Sequence, residues 1–221
     1  MKKIEKIAII DYGVGNLFSV NKAFNRIGVE SFITSNPGEI LNSTRVVLPG
    51  VGAFRNGMLK LAEADLVSVV KEVADSGKPL LGICLGAQLL FESSEEFGTT
   101  TGLGLIKGQV VEIPGGLSNK TEIRVPHIGW NNLKYPRGAT STEGTILDSI
   151  PESSMTYFVH SFMLSPENSE HRLAEVDYHN INICAAVQSN SVFGAQFHPE
   201  KSGEVGLDIL KNFVSLSIIR N

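Results

Sequence analysis

The first half of the chain alternates short apolar runs with amphipathic ones, and no other feature of the sequence limits the fold as much. "KIAIID" reads as a strand. "LFSVNKAFNRIG" reads as a helix with Leu17, Val20, Phe24 and Ile27 on one face and Gly28 as its stop. "ESFITS" and the fully apolar "RVVLPG" are further strands. "GMLKLAEADLVSVVKEVADSG" is one helix or two, ending at Gly77; "PLLGIC" is a strand and "GAQLLFESSEE" a helix. This alternation predicts a central, mostly parallel sheet with helices on both faces. From "GLGLIKGQVVEIP" to "AAVQSNSVFGAQFHPE" the runs become short and β-rich, with turn residues such as "YPRG" and "SNS". They read as a mixed or antiparallel extension of the same sheet. "GEVGLDILKNFVSLSII" closes the chain as an amphipathic helix. The 221 residues, 42% of them hydrophobic, can bury a real core, and one domain over residues 1–221 is expected.

Bulk properties remove several function classes. A net charge of −4 gives no basic footprint for nucleic acid or an acidic membrane surface. The opening "MKKIEKIAIIDYG" has the lysines of a signal peptide, but its apolar run is short, Asp11 interrupts it and no small-residue cleavage site follows. Two cysteines far apart in sequence fit a cytoplasmic thiol enzyme better than a disulfide scaffold. The histidines and cysteines lack metal-ligand spacing, and "DYGVGN" is not a full dinucleotide fingerprint. Neither metal nor cofactor is expected.

"GICLG" is the stretch with chemistry in it. Gly82-x-Cys84-x-Gly86 has the form of a nucleophile elbow with Cys in place of Ser. Such a nucleophile occupies a strained strand-to-helix turn at a strand's carboxyl end, where flanking side chains would collide. The helix that follows favours the thiolate, and the Leu85 N–H is free for an oxyanion. Taken alone, the pattern equally suits a small core cysteine beside packing glycines. Cys184 reads as such a core residue.

A cysteine nucleophile needs a base. His171 and His179 lie in polar stretches, whereas His198, in "FGAQFHPEKSG", directly follows an apolar strand. Pro199 restricts it to extended conformations, and Glu200 could orient the imidazole as a third triad member. A turn with a capping Glu explains His-Pro-Glu as well. A further strand ends in Pro49, Gly50, Val51 and Gly52, whose backbone N–H groups could supply a second oxyanion donor.

"PGVGAF", "GICLGAQLLFE" and "FHPEKSG", in that order and spacing, resemble class I (triad) glutamine amidotransferases, and the resemblance implies that family's flavodoxin-like fold. "VPHIGWN" and "YFVHSF" narrow it to the glutaminase subunits of imidazole glycerol phosphate synthase, the HisH type. The resemblance runs nearly end to end. It implies that Cys84 attacks the side-chain amide of glutamine, that His198 takes the thiol proton and passes it to departing ammonia, and that Glu200 orients His198. A γ-glutamyl thioester forms and water releases glutamate. Val51, Gly52 and Leu85 would hold the oxyanion. Gln88 and Glu96 match positions that hold the backbone end of glutamine, and His160, Ser161 and Phe162 line the same pocket. In such enzymes the ammonia passes through a (β/α)8-barrel (HisF-type) partner to PRFAR, giving imidazole glycerol phosphate and AICAR. Asn16, Trp130, Asn131 and Lys201 match interface positions, and residues 49–52 face the same interface. A peptide of that segment is expected to reorient before it can serve the oxyanion, so the isolated chain should be nearly inactive.

Ala87 and Ile128 stand where Met is common in the family; both exchanges are apolar. "SSEEFGTTTGLGLIKG" and "DYHNINICAAVQSNSVFGAQFHPE" also resemble paralogues that supply ammonia for amidino-sugar synthesis in surface-polysaccharide pathways. The catalytic residues do not separate the two acceptors. A silent binding protein would have no reason to keep Cys84, His198 and Glu200 together. A freestanding thiol hydrolase or redox sensor leaves "PHIGWN" and "YFVHSF" without a role.

Overall fold

A computed structural model of the chain describes residues 6–118, 121–136 and 141–217. In chain order the strands and helices are β1 (Ile7–Ile10), α1 (Leu17–Arg26), β2 (Ser31–Thr34), α2 (Pro37–Asn42), β3 (Arg45–Gly50), α3 (Phe54–Glu63), α4 (Val67–Asp75), β4 (Leu80–Cys84), α5 (Leu85–Leu89), β5 (Phe91–Ser94), β6 (Thr100–Thr101), β7 (Ile106–Glu112), β8 (Gly116–Ser118), β9 (Thr121–Ile123), β10 (His127–Asn132), β11 (Met155–His160), β12 (Phe162–Pro166), β13 (Arg172–Tyr178), β14 (Ile181–Ser189), β15 (Val192–Ala195) and α6 (Gly203–Ser215).

The expected parallel sheet is present. Strands run in the order β2-β1-β3-β4-β15, all parallel, and β14, β12, β7, β5 and β6 continue the same sheet with mixed directions. Period-two alternation splits the inner parallel strands between two cores. Ile7 and Ile9 face the side packed by α1 and α6, whereas Ala8 and Ile10 face the side of α2 to α5. Phe24 of α1 and Phe213 of α6 are fully buried and tilt together at 6.5 Å. Burying each such ring stabilises the fold by about 2–3 kcal/mol. Buried Arg45 donates from Nε to the Phe213 carbonyl (3.0 Å) and from Nη2 to that of Leu216 (2.6 Å), so it caps the carboxyl end of α6.

Several expectations need correction. "GAQLLFESSEE" is not one helix: α5 ends at Leu89 and Phe91 begins a strand parallel to β7. Serine and glutamate give the segment a polar pattern that suits a helix end, but pairing to β7 buries Phe91 and Ser94 instead. The second half is not wholly an extension of the main sheet. β10 and β11 form a separate antiparallel ribbon, and so do β8 and β9. Of the two readings left open for the long helical stretch after β3, two helices is the one observed, with the break where Asp65 takes a φ of 57°. α2, opened by Asn36 capping the Glu39 N–H, went unread because it is short. Within "YPRG", Arg137 and Gly138 lie outside the described residues, as do Ile218 and Ile219 of the closing segment.

Candidate functional site

β3, β4 and β15 end side by side, with Gly50 in register with Cys84. Cys84 has φ 54° and ψ −110°, a conformation that side-chain-bearing residues avoid, at the one point where strand becomes helix. The neighbouring glycines explain how the turn fits. A Cβ on Gly86 would lie 1.7 Å from the Leu48 carbonyl oxygen, and one on Gly82 would lie 2.7 Å from the Gly86 backbone. Only bare backbone passes through that gap. α5 has just five residues, so its dipole is a smaller aid to the thiolate than a full helix would give.

His198 follows β15 and is fixed from several sides. Its N–H donates to the Tyr157 carbonyl (2.9 Å), and its Nδ1 lies 2.8 Å from Glu200 Oε1. Both side chains are 2% exposed, so this pair is shielded from water. With Nδ1 committed to Glu200, Nε2 has no hydrogen-bond partner of normal geometry among the described residues, and it is the ring nitrogen left to act on Cys84. Burial disfavours the imidazolium, but the Cys84 sulfur and the Glu200 carboxylate outweigh it and raise the His198 pKa to about 9. The Cys84 Sγ is 3.9 Å from the Val159 carbonyl and 4.0 Å from Gln196 Nε2.

A cavity of about 490 Å³ opens over Cys84 and His198. It brings together the expected Val51, Gly52, Leu85, Gln88, Glu96, His160, Ser161 and Phe162, and adds Pro126 and Val159. Pro49, Gly50 and Glu200 do not line it; the first two complete β3 behind it and Glu200 backs His198. Gln88 Nε2 donates to the Phe162 carbonyl (3.0 Å) and to Gln196 Oε1 (3.2 Å). Glu96, expected at a helix end, instead follows β5 and accepts the Phe54 N–H at 2.6 Å, serving as the cap that α3 lacks from its own N-cap Ala53.

The ribbon carries two of the residues expected at an interface, Trp130 and Asn131. Trp130 is 50% exposed and meets Tyr157 edge-on at 5.9 Å. Lys201 Nζ sits 5.9 Å above the same ring, whose other neighbour is His198. Asn131 reaches inward to His127 Nε2 (3.2 Å) and to the Asp177 carbonyl (3.3 Å). Asn16 stands apart from this cluster as the N-cap of α1, one residue after Gly15, which packs close to Gly50.

Sequence reasoning missed three residues here. Gln196 is fully buried and touches both Gln88 and Cys84. His127 is buried against His160 with Nδ1–Nε2 of 3.0 Å, although the motif holding it was in view. Tyr12 lies beneath Gly50 with its hydroxyl buried and without a partner among the described residues; burial, then the Cys84 charge, push its phenol above the usual range. Cys184 is a core residue, its thiol pushed up to about 12 by burial. Among the described residues no group of acidic, His or Cys side chains is arranged for a metal, and no helix is long and apolar enough to cross a membrane.

A model of the family described as glutamine amidotransferase class-I matches residues 8–216. The chain is 46% identical over 213 residues to imidazole glycerol phosphate synthase subunit HisH 1 of Legionella pneumophila (strain Lens), covering 96% of this chain and all of the relative. It is 46% identical over 210 residues to subunit HisH of Moorella thermoacetica, with 95% and 94% covered. Among solved structures, one titled a glutamine amidotransferase aligns with a TM-score of 0.72 at 16% identity, over 95% of this chain and 97% of that one. PurLQS from Thermotoga maritima aligns with a TM-score of 0.70 at 19% identity, over 96% and 99%. At those identities the structures speak to the fold.

Proposed function

This chain belongs to the class-I glutamine amidotransferase family, and from that premise we propose that it is the glutaminase subunit of an imidazole glycerol phosphate synthase. The observation that carries the chemistry is the arrangement of Cys84 on its strained elbow, with His198 Nε2 beside it and Nδ1 tied to Glu200, at the floor of one cavity. Glutamine enters the cavity amide first. The Cys84 proton passes to His198 Nε2, where the sulfur and the Glu200 carboxylate hold it, and the sulfur attacks the amide carbon. The Leu85 N–H, with one from residues 49–52, receives the oxyanion. The imidazolium, stabilised by Glu200, returns the proton to the leaving nitrogen, ammonia departs and a γ-glutamyl thioester remains. Water activated by the same imidazole then releases glutamate. Gln88 and Glu96, with residues 160–162, hold the amino-acid end. Nothing in this sequence of steps calls for a metal or cofactor.

The relatives are named as subunits of a synthase, which supports a partner for this chain as well. We assign that partner as a (β/α)8-barrel, HisF-type subunit in a cytoplasmic heterodimer, docking over Trp130, Asn131, Lys201 and Asn16, and passing ammonia on to PRFAR. The synthase names favour this acceptor over an amidino-sugar one. The test is glutamate release from glutamine by the chain alone, then with the co-expressed barrel subunit, with and without PRFAR. Stimulation by barrel plus PRFAR, abolished in Cys84→Ala, is expected. Stimulation by a barrel paralogue with PRFAR inert would move the chain to the sugar pathway.

A further inference from the structure

One run of hydrogen bonds extends from the exposed ribbon to the nucleophile, and one carbonyl fixes most of its protons. The Phe162 carbonyl can only accept, so His160 Nδ1, 2.9 Å away, carries a hydrogen. A neutral His160 ring then has a bare Nε2, and His127 Nδ1 at 3.0 Å must donate to it. That leaves His127 Nε2 bare, and the Asn131 amide nitrogen donates to it at 3.2 Å. Burial keeps both rings neutral, His127 down to about 4 and His160 to about 3. On the far side, the same Phe162 carbonyl accepts from Gln88, which also donates to Gln196, whose own amide nitrogen faces the Cys84 sulfur at 4.0 Å.

We propose that His127 and His160 are positioning residues: a neutral two-imidazole relay that sets the Phe162 carbonyl and the Gln88–Gln196 amides against Cys84 and reports the state of Asn131 to them. The inference rests on the partner-facing role given above to Asn131. Its physical content is a competition. If a partner draws the Asn131 amide outward, His127 Nε2 loses its donor inside a buried, stacked site between Phe158 and Tyr178. Each downstream bond must then be remade or weakened, because every donor in the run has its acceptor assigned.

Two measurements test this. Imidazole ¹⁵N spectra of the free chain are expected to show both rings neutral with hydrogen on Nδ1; hydrogen on Nε2 of either ring overturns the relay. Glutamate release by the complex with the barrel subunit is then compared for Asn131→Ala, His127→Asn and the double variant. Asn at 127 can still donate to His160 but is too short to place its amide oxygen where Nε2 meets Asn131, so it cuts one link only. Rates are scored per Cys84 sulfur titrated by a glutamine-analogue electrophile, which removes any effect of a misfolded fraction. Each single variant is expected to lower turnover ~10-fold at unchanged KM, with the double no worse than the poorer single. Effects that multiply to ~100-fold would show independent roles and overturn the proposal. A wild-type complex that releases no glutamate counts against the glutaminase reading instead, and the ring tautomers then decide the relay on their own.

Discussion

The elbow at Cys84 and the ribbon of β10 and β11 meet over the same cavity, yet they are held by opposite means. The elbow is fixed by backbone. Gly82, Gly86 and the end of β3 pass so close that no side chain fits between them, and every residue from Leu80 to Leu90 is buried. The ribbon is fixed by side chains. Residues of β10 alternate between covered or half-covered and open positions, with His127 alone fully buried, and its inner face is a stack of rings joined by polar hydrogen bonds. Backbone packing leaves Cys84 no slack, which a strained conformation requires. Side-chain hydrogen bonds of about 1 kcal/mol each can be exchanged for others, which the proposed partner surface requires.

The contrast can be broken most severely at Cys84. Cys84→Ala should lower partner-stimulated glutamate release by at least ~10³-fold while leaving the fold intact. Gly86→Ala should fail differently: its Cβ would overlap the Leu48 carbonyl, so denaturant unfolding should show a loss of about 3 kcal/mol or more. Glu200→Gln should cost ~10²- to 10⁴-fold in turnover, since Nδ1 loses the carboxylate that selects its tautomer.

The same pair gives stability a pH signature. His198 is raised from 6.5 to about 9. The proton it gains on folding therefore stabilises the chain fully below pH 6.5, and that contribution is lost as pH rises through about 9. Unfolding followed between pH 6 and 10 should show stability declining towards the alkaline end as this group loses its proton, a decline flattened in Glu200→Gln and Cys84→Ala. At the ribbon the effects should be smaller and should appear in binding. Trp130→Ala is expected to change the free chain's stability by less than ~0.5 kcal/mol, yet weaken partner affinity by about 10- to 30-fold in a titration.

The difference between the regions also explains what could be read from sequence. The elbow's demands are local: two glycines flank one cysteine, and apolar strands alternate with helices, so the parallel sheet and the places of Cys84 and His198 at the ends of its strands were legible. The strand at Phe91 was not. It exists because Phe91 pairs with Ile106 and the Gly102 backbone packs onto its carbonyl, contacts that local helical spacing cannot reveal. Gln196 and His127 were missed for the same reason. Gln196 gains its meaning from Gln88, 108 residues away, and His127 from His160, 33 away. Strain announces itself in glycines, whereas a buried polar network has no comparable signature.

The central claim is that Cys84 is a thiol activated by His198 and backed by Glu200. The most direct test is covalent capture of the intact complex with a glutamine-analogue electrophile, followed by mass spectrometry of the tryptic peptides. One adduct, on the Cys84 peptide and slowed at least ~10²-fold in His198→Asn, is the predicted result. An adduct on Cys184, or labelling of Cys84 at the same rate without the imidazole, would contradict the account.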